Sequence, residues 1–87
     1  MKWIGIALVA IAVAAQAAQQ TLSLTIEGWH SKGDVYKTEQ AVQKLKGVVR
    51  VSSDLPGKRL TVVYDDGAAS PAAIEKAISA AGYVSRR

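Results

Sequence analysis

The hydrophobic pattern of this chain switches between a period of two and a period near 3.6, and that switching restricts the possible folds more than any other feature. In "TLSLTIE", residues 21–27, Leu22, Leu24 and Ile26 alternate with Thr21, Ser23 and Thr25. This predicts a half-buried strand, closed by Gly28. Over residues 34–45, Val35, Ala41, Val42 and Leu45, with Thr38 between them, share one helical face, while Lys37, Glu39, Gln40, Gln43, Lys44 and Lys46 point away. Asp34 is the expected N-cap of this helix and Gly47 its stop. "VVRVSS" and "RLTVVY" are β-branched runs joined by "DLPGK", whose Pro-Gly pair suits the centre of a hairpin turn. Ser70 and Pro71 read as the cap and first residue of a second helix, with Ile74, Ala77, Ile78 and Ala81 as its apolar stripe. Gly82 ends that helix, and "GYVS" supplies a short last strand.

The resulting order is β-α-β-β-α-β. A chain of 87 residues has room for one small domain. The expected fold class is therefore α+β, a ferredoxin-like sandwich with a four-stranded antiparallel sheet and two helices on one face.

Ahead of the domain, "MKWIGIALVAIAVAAQA" carries Lys2, an apolar run and an Ala-x-Ala close. This predicts a secretory signal peptide over residues 1–17, cleaved after Ala17, with the domain at 18–87. The apolar run is shorter than the roughly 20 residues a helix needs to cross hydrocarbon. No stable membrane anchor is expected after cleavage, and the mature protein is expected to be periplasmic or secreted.

Composition removes several function classes. The sequence has no cysteine, which excludes disulfides, thiolate metal sites, iron–sulfur clusters and cysteine nucleophiles within it. The formal net charge of +4 is spread along the chain without a basic stripe. The first strand also lacks aromatic residues on which bases could stack, so no nucleic acid partner is expected. Asp65 and Asp66 are adjacent at a strand end, where their side chains diverge; they read as turn formers and not as an acid and base pair or a calcium loop. An acylphosphatase-type site would need an arginine in the first loop and an asparagine on the sheet, and neither is present. The chain is not expected to be an enzyme.

What remains is the loop "GWHSKGD", residues 28–34, which holds the only histidine. His30 and Asp34 stand four apart and suit a borderline ion such as Zn(II) or Cu(II), with Glu27 or water completing the shell. The plainer reading makes His30 a solvated loop residue and Asp34 a cap, and Lys32 beside them opposes a second cation. Trp29 is open to two readings as well. It either plugs the top of the core, or joins His30 and Tyr36 as an aromatic anchor for a protein partner.

Across these residues the sequence resembles the heavy-metal-associated domain, a family whose pattern runs Gly-Met-x-Cys-x-x-Cys, a helix ending in Gly-Val, a hairpin, Tyr-Asp, and a second helix ending in Gly-Tyr. Gly28 takes the first glycine, Ala41 and Leu45 the buried helix positions, Gly47 and Val48 the Gly-Val, Tyr64 and Asp65 the Tyr-Asp, and Gly82 and Tyr83 the Gly-Tyr. The resemblance implies the ferredoxin-like fold and a family role in metal ion binding and transport. In its register Trp29 stands at the methionine, and Ser31 and Asp34 at the two cysteines. Tyr83 falls where the family carries an aromatic residue or a lysine near the metal, which makes it a core cap or a further partner contact. Soft ions such as Cu(I) and Hg(II) prefer paired thiolates, so their binding is expected to be lost here. The implied partner is a metal-exporting membrane complex or a periplasmic protein. The alternative is a module that binds a protein partner through the loop of Trp29 and His30 without any metal.

Overall fold

The computed structural model describes residues 18–87, so the predicted leader over residues 1–17 lies outside the described residues. The elements follow the expected order: β1 (Gln19–Glu27), α1 (Lys32–Gln43), β2 (Val48–Asp54), β3 (Arg59–Asp65), α2 (Pro71–Ala80) and β4 (Val84–Arg86). They form one four-stranded sheet in the order β2-β3-β1-β4, with every pairing antiparallel. The α+β, ferredoxin-like expectation holds.

The period of two becomes one covered sheet face. Leu22, Leu24 and Ile26 of β1 sit beside Leu60, Val62 and Tyr64 of β3, all buried, while Thr21 and Ser23 stay in water. Val42 of α1 and Ile74 and Ile78 of α2 close that face and are fully buried. Each such aliphatic side chain contributes about 1.5–3 kcal/mol relative to an exposed one, so the sheet and both helices are held by one continuous core.

Two features of α1 differ from the sequence expectation. Helix α1 begins before Asp34: Ser31 is the N-cap, with extended backbone, and its side chain accepts from the Asp34 amide. The first turn, Lys32 and Gly33, is exposed and so leaves no mark in the hydrophobic pattern. The same helix ends at Gln43, and Leu45 packs against the core from beyond it, with its amide bonded to the Val42 carbonyl at 3.0 Å. In the β2–β3 hairpin Pro56 and Gly57 are the central residues of the turn, as expected, with the Lys58 amide donating to the Leu55 carbonyl at 3.0 Å and Lys58 itself left-handed at φ 53°.

Gly47 does serve as the stop after α1. It has φ +94°, and a Cβ there would lie 2.8 Å from the Cβ of Ala68. Only glycine fits both the backbone and the approach of the following segment.

Candidate functional site

The loop begins where β1 ends. Gly28 turns the chain at φ +101°, and a Cβ on it would stand 3.2 Å from a ring carbon of Tyr83. The missing side chain thus permits both the left-handed backbone and the close passage of the Tyr83 ring. Trp29 then drops into the core at 1% exposure. Its indole Nε1–H donates to Thr38 Oγ1 at 2.9 Å, and the Thr38 hydroxyl donates to the Asp34 carbonyl at 2.9 Å. Thr38 is fully buried and bonded on both sides, so a polar residue inside the core carries no unpaired group.

His30 and Ser31 return to the surface, and Asp34 is half-buried in the first turn of α1. One carboxylate oxygen of Asp34, Oδ2, accepts from the His30 amide at 2.8 Å and from the Ser31 hydroxyl at 3.4 Å. The Ser31 oxygen in turn accepts from the Asp34 amide at 3.4 Å. This reciprocal exchange across Ser31 and Asp34 is a capping-box arrangement, with aspartate in the place of glutamate. The second oxygen, Oδ1, accepts from the Tyr83 hydroxyl at 2.7 Å, a bond between residues 49 apart in sequence.

These bonds shift both partners. The Asp34 carboxyl is held below its ordinary value, first by the Tyr83 hydroxyl and then by the His30 amide, against an opposing effect of burial. The Tyr83 phenol is pushed above its ordinary value by the bond to Asp34, then by burial, then by the nearby negative charge. A charged acceptor facing neutral donors favours the ionised carboxylate and the protonated phenol.

The structure therefore brings four of the predicted residues to one place: His30 through its backbone, then Ser31, Asp34 and Tyr83. It does not bring the others. Trp29, one of the expected partner anchors, is a core residue, because its indole finds an acceptor in Thr38 and its ring fills the end of the sheet. Tyr36 lies on the outer face of α1 at 63% exposure. Glu27, the suggested extra ligand, forms an ion pair with Arg86 at the sheet edge. Of the two aspartates at the end of β3, Asp65 acts in the turn by accepting from the Gly67 amide at 2.9 Å, whereas Asp66 accepts from the Ala18 amide at 3.0 Å and so ties the turn to the start of β1.

The loop's donor set suits no soft ion. It offers an imidazole, a hydroxyl and a carboxylate whose two oxygens are both engaged, and the chain holds no thiolate. Among the described residues no group of three or more His, Cys, Asp or Glu is placed to hold a metal ion. Two parts of this site were not foreseen from sequence. The pairing of Ser31 with Asp34 had a readable signal, since Ser-x-x-Asp before an apolar run is a capping-box pattern. For the bond from Tyr83 the family register gave the neighbourhood, a position near the loop, and not the partner.

Comparison with known proteins identifies the family of this fold. The family model described as "Heavy-metal-associated domain" matches residues 23–84, and the chain belongs to that family. The chain is 30% identical over 80 residues to the mercuric transport protein periplasmic component of Pseudomonas fluorescens, covering 92% of this chain and 88% of that protein. It is 38% identical over 60 residues to the human copper-transporting ATPase 2, covering 69% of this chain but only 4% of that much longer protein. The crystal structure of oxidized MerP from Ralstonia metallidurans CH34 superposes with a TM-score of 0.76 at 29% identity, over 79% of this chain and 96% of that one. Among the described residues no helix is long and apolar enough to cross a membrane.

Proposed function

We propose that this protein is an exported, non-enzymatic heavy-metal-associated domain in which Ser31 and Asp34 stand at the two positions that carry sulfur in its family, so that it does not hold soft metal ions. One observation carries this reading. Both residues are committed to a hydrogen-bonded helix start, and neither presents a free soft donor to a cation. Export to the periplasm is supported by the predicted leader and by a relative named as a periplasmic component of mercuric transport. The relatives' names, a copper-transporting ATPase and a component of mercuric transport, support a metal-transport protein as the partner, and we place a metal-exporting membrane complex in that role.

The test is metal retention. Purified protein loaded with Cu(I) or Hg(II) in the presence of a competing small thiol, then desalted, is expected to hold no stoichiometric metal by elemental analysis. Stoichiometric retention would refute the reading. If Zn(II) or Cu(II) binds weakly, His30→Ala should abolish it and Ser31→Ala should not; equal loss in both variants would place the ion elsewhere.

A second reading, in which the domain binds a protein partner without metal, is favoured by the exposed aromatic on α1. The Tyr36 ring lines an open groove of about 620 Å³ between α1 and the β2–β3 hairpin, with Val35, Leu55 and Pro56 as its apolar walls and Lys32 at its rim. With Trp29 buried, this face and the exposed His30 are what the loop end offers to a partner.

A further inference from the structure

We infer that Asp34 and Tyr83 form a latch that keeps the loop over residues 28–34 closed without any ion: the Asp34 carboxylate meets the Ser31 hydroxyl across the two positions that carry sulfur in the family, and the Tyr83 hydroxyl holds that carboxylate from the end of α2. The inference rests on the register proposed above. At the start of α1 one oxygen of Asp34, Oδ2, fastens the incoming loop by accepting from the His30 amide and the Ser31 hydroxyl. The other oxygen is free for something more, and it takes the Tyr83 hydroxyl at 2.7 Å.

Tyr83 is well placed to act as the fixed side of the latch. Its amide donates to the Ile78 carbonyl at 3.2 Å, which ties it to the end of α2. Its ring is buried and passes over Gly28, where no side chain interferes. The carboxylate thus links three parts of the chain: the loop after β1, the first turn of α1 and the segment leaving α2. A metal held between two loop residues would cross-link positions 31 and 34; here the Ser31 hydroxyl and the Asp34 carboxylate make that link directly, and Tyr83 secures it from across the sheet end. Both carboxylate oxygens accept hydrogen bonds, so a cation entering between His30 and Asp34 competes with these donors for the carboxylate charge. The loop surface is therefore shaped by the chain alone, and a partner that reads it reads the same shape whether or not metal is available.

The experiment is a double-mutant cycle on the full chain, freed of metal by chelation, with Asp34→Ala, Tyr83→Phe and the pair. Tyr83→Phe keeps the ring over Gly28, so the core is retained. The expected coupling is about tenfold in the folding equilibrium constant, the size of one charge-assisted hydrogen bond. A coupling indistinguishable from onefold overturns the latch. Hydrogen exchange gives the second readout. The His30 amide should exchange slowly in chelated wild type and be unchanged by added Zn(II) or Cu(I), whereas in Ser31→Cys/Asp34→Cys it should exchange fast in chelator and slow with Cu(I). A wild-type His30 amide that becomes protected only after metal is added also overturns the latch. The two readings fail separately: soft-metal retention by a wild type that keeps its coupling refutes the proposed function alone, and a metal-free wild type with no coupling refutes the latch alone.

Discussion

Helix α1 starts on Ser31 and helix α2 on Ser70, both with extended backbone and both with a serine oxygen accepting an amide three residues on, at 3.4 Å from Asp34 and 3.2 Å from Ala73. Beyond that shared device the two ends diverge. In α2 the first helical residue is Pro71 and the first turn has no acidic group, so the cap is a purely local matter. In α1 the third residue is an aspartate, favoured there by the helix dipole, and it is also met by Tyr83 from the far end of the chain. The buried faces differ in the same sense. α2 buries Ile74 and Ile78, whereas α1 buries Val42 and a threonine that serves the Trp29 indole. One helix is specified almost entirely by its own sequence; the other is fitted to its surroundings by polar contacts.

The largest effect that tests this contrast lies in the apolar helix. Ile78→Ala should cost about 2–5 kcal/mol, because a fully buried isoleucine leaves a cavity. Against a total of about 5–15 kcal/mol for a domain, that approaches unfolding, and urea denaturation would show it as a lowered midpoint with unchanged slope. In α1 the matching change is Thr38→Val, which keeps the shape but strips the Trp29 indole of its acceptor. It should cost about 1–3 kcal/mol, the penalty for an unpaired buried donor. A Thr38→Val variant as stable as wild type would mean that the indole finds water, and the polar character assigned to α1 would be wrong.

Smaller still are the caps. Ser70→Ala should lose about 1 kcal/mol, the usual value for an N-cap serine. Ser31→Ala should lose a similar amount and in addition speed hydrogen exchange at His30, whereas Ser70→Ala should leave that amide alone. If both variants leave His30 unaffected, the α1 cap is as local as the α2 cap.

The smallest effect is in the dependence of stability on pH. The folded pKa of Asp34 is depressed, so its contribution is present above the ordinary value of 3.8 and is lost as pH falls through the lower folded value. The Tyr83 phenol is raised, so its contribution is present below the ordinary 10.0 and is lost as pH rises through the higher folded value. Thermal melting of Tyr83→Phe should therefore lose less stability than wild type at the acid limit and again at the alkaline limit. Superimposable pH profiles for the two proteins would leave the bond between Tyr83 and Asp34 without energetic weight.

Much of this molecule was legible from local pattern. Period two over residues 21–27, the β-branched runs at 48–53 and 59–64, helical spacing before Gly47 and Gly82, and Ser70 with Pro71 depend on contacts between near neighbours, and near neighbours are what a sequence displays. The family's Gly-Val, Tyr-Asp and Gly-Tyr positions were read in the same way, and they carried the fold. The start of α1 is hidden in the sequence because Lys32 and Gly33 are exposed and leave no mark in the apolar pattern, so that pattern points to Asp34 where the structure has Ser31 as the cap. Whether Trp29 faced water or core stayed open for a related reason: an indole is buried only where its N–H finds an acceptor, and the acceptor lies one helix face away at Thr38.

By itself, then, the sequence determined the element order, the sheet, the core and the absence of sulfur from the loop. Only the tertiary structure decided what the loop does in place of holding sulfur. The choice depends on the Tyr83 ring passing over Gly28, where a Cβ would stand 3.2 Å from it, and on its hydroxyl reaching Asp34 across 49 residues. That distance closes only after β1, α1 and α2 have packed, and no local propensity encodes it.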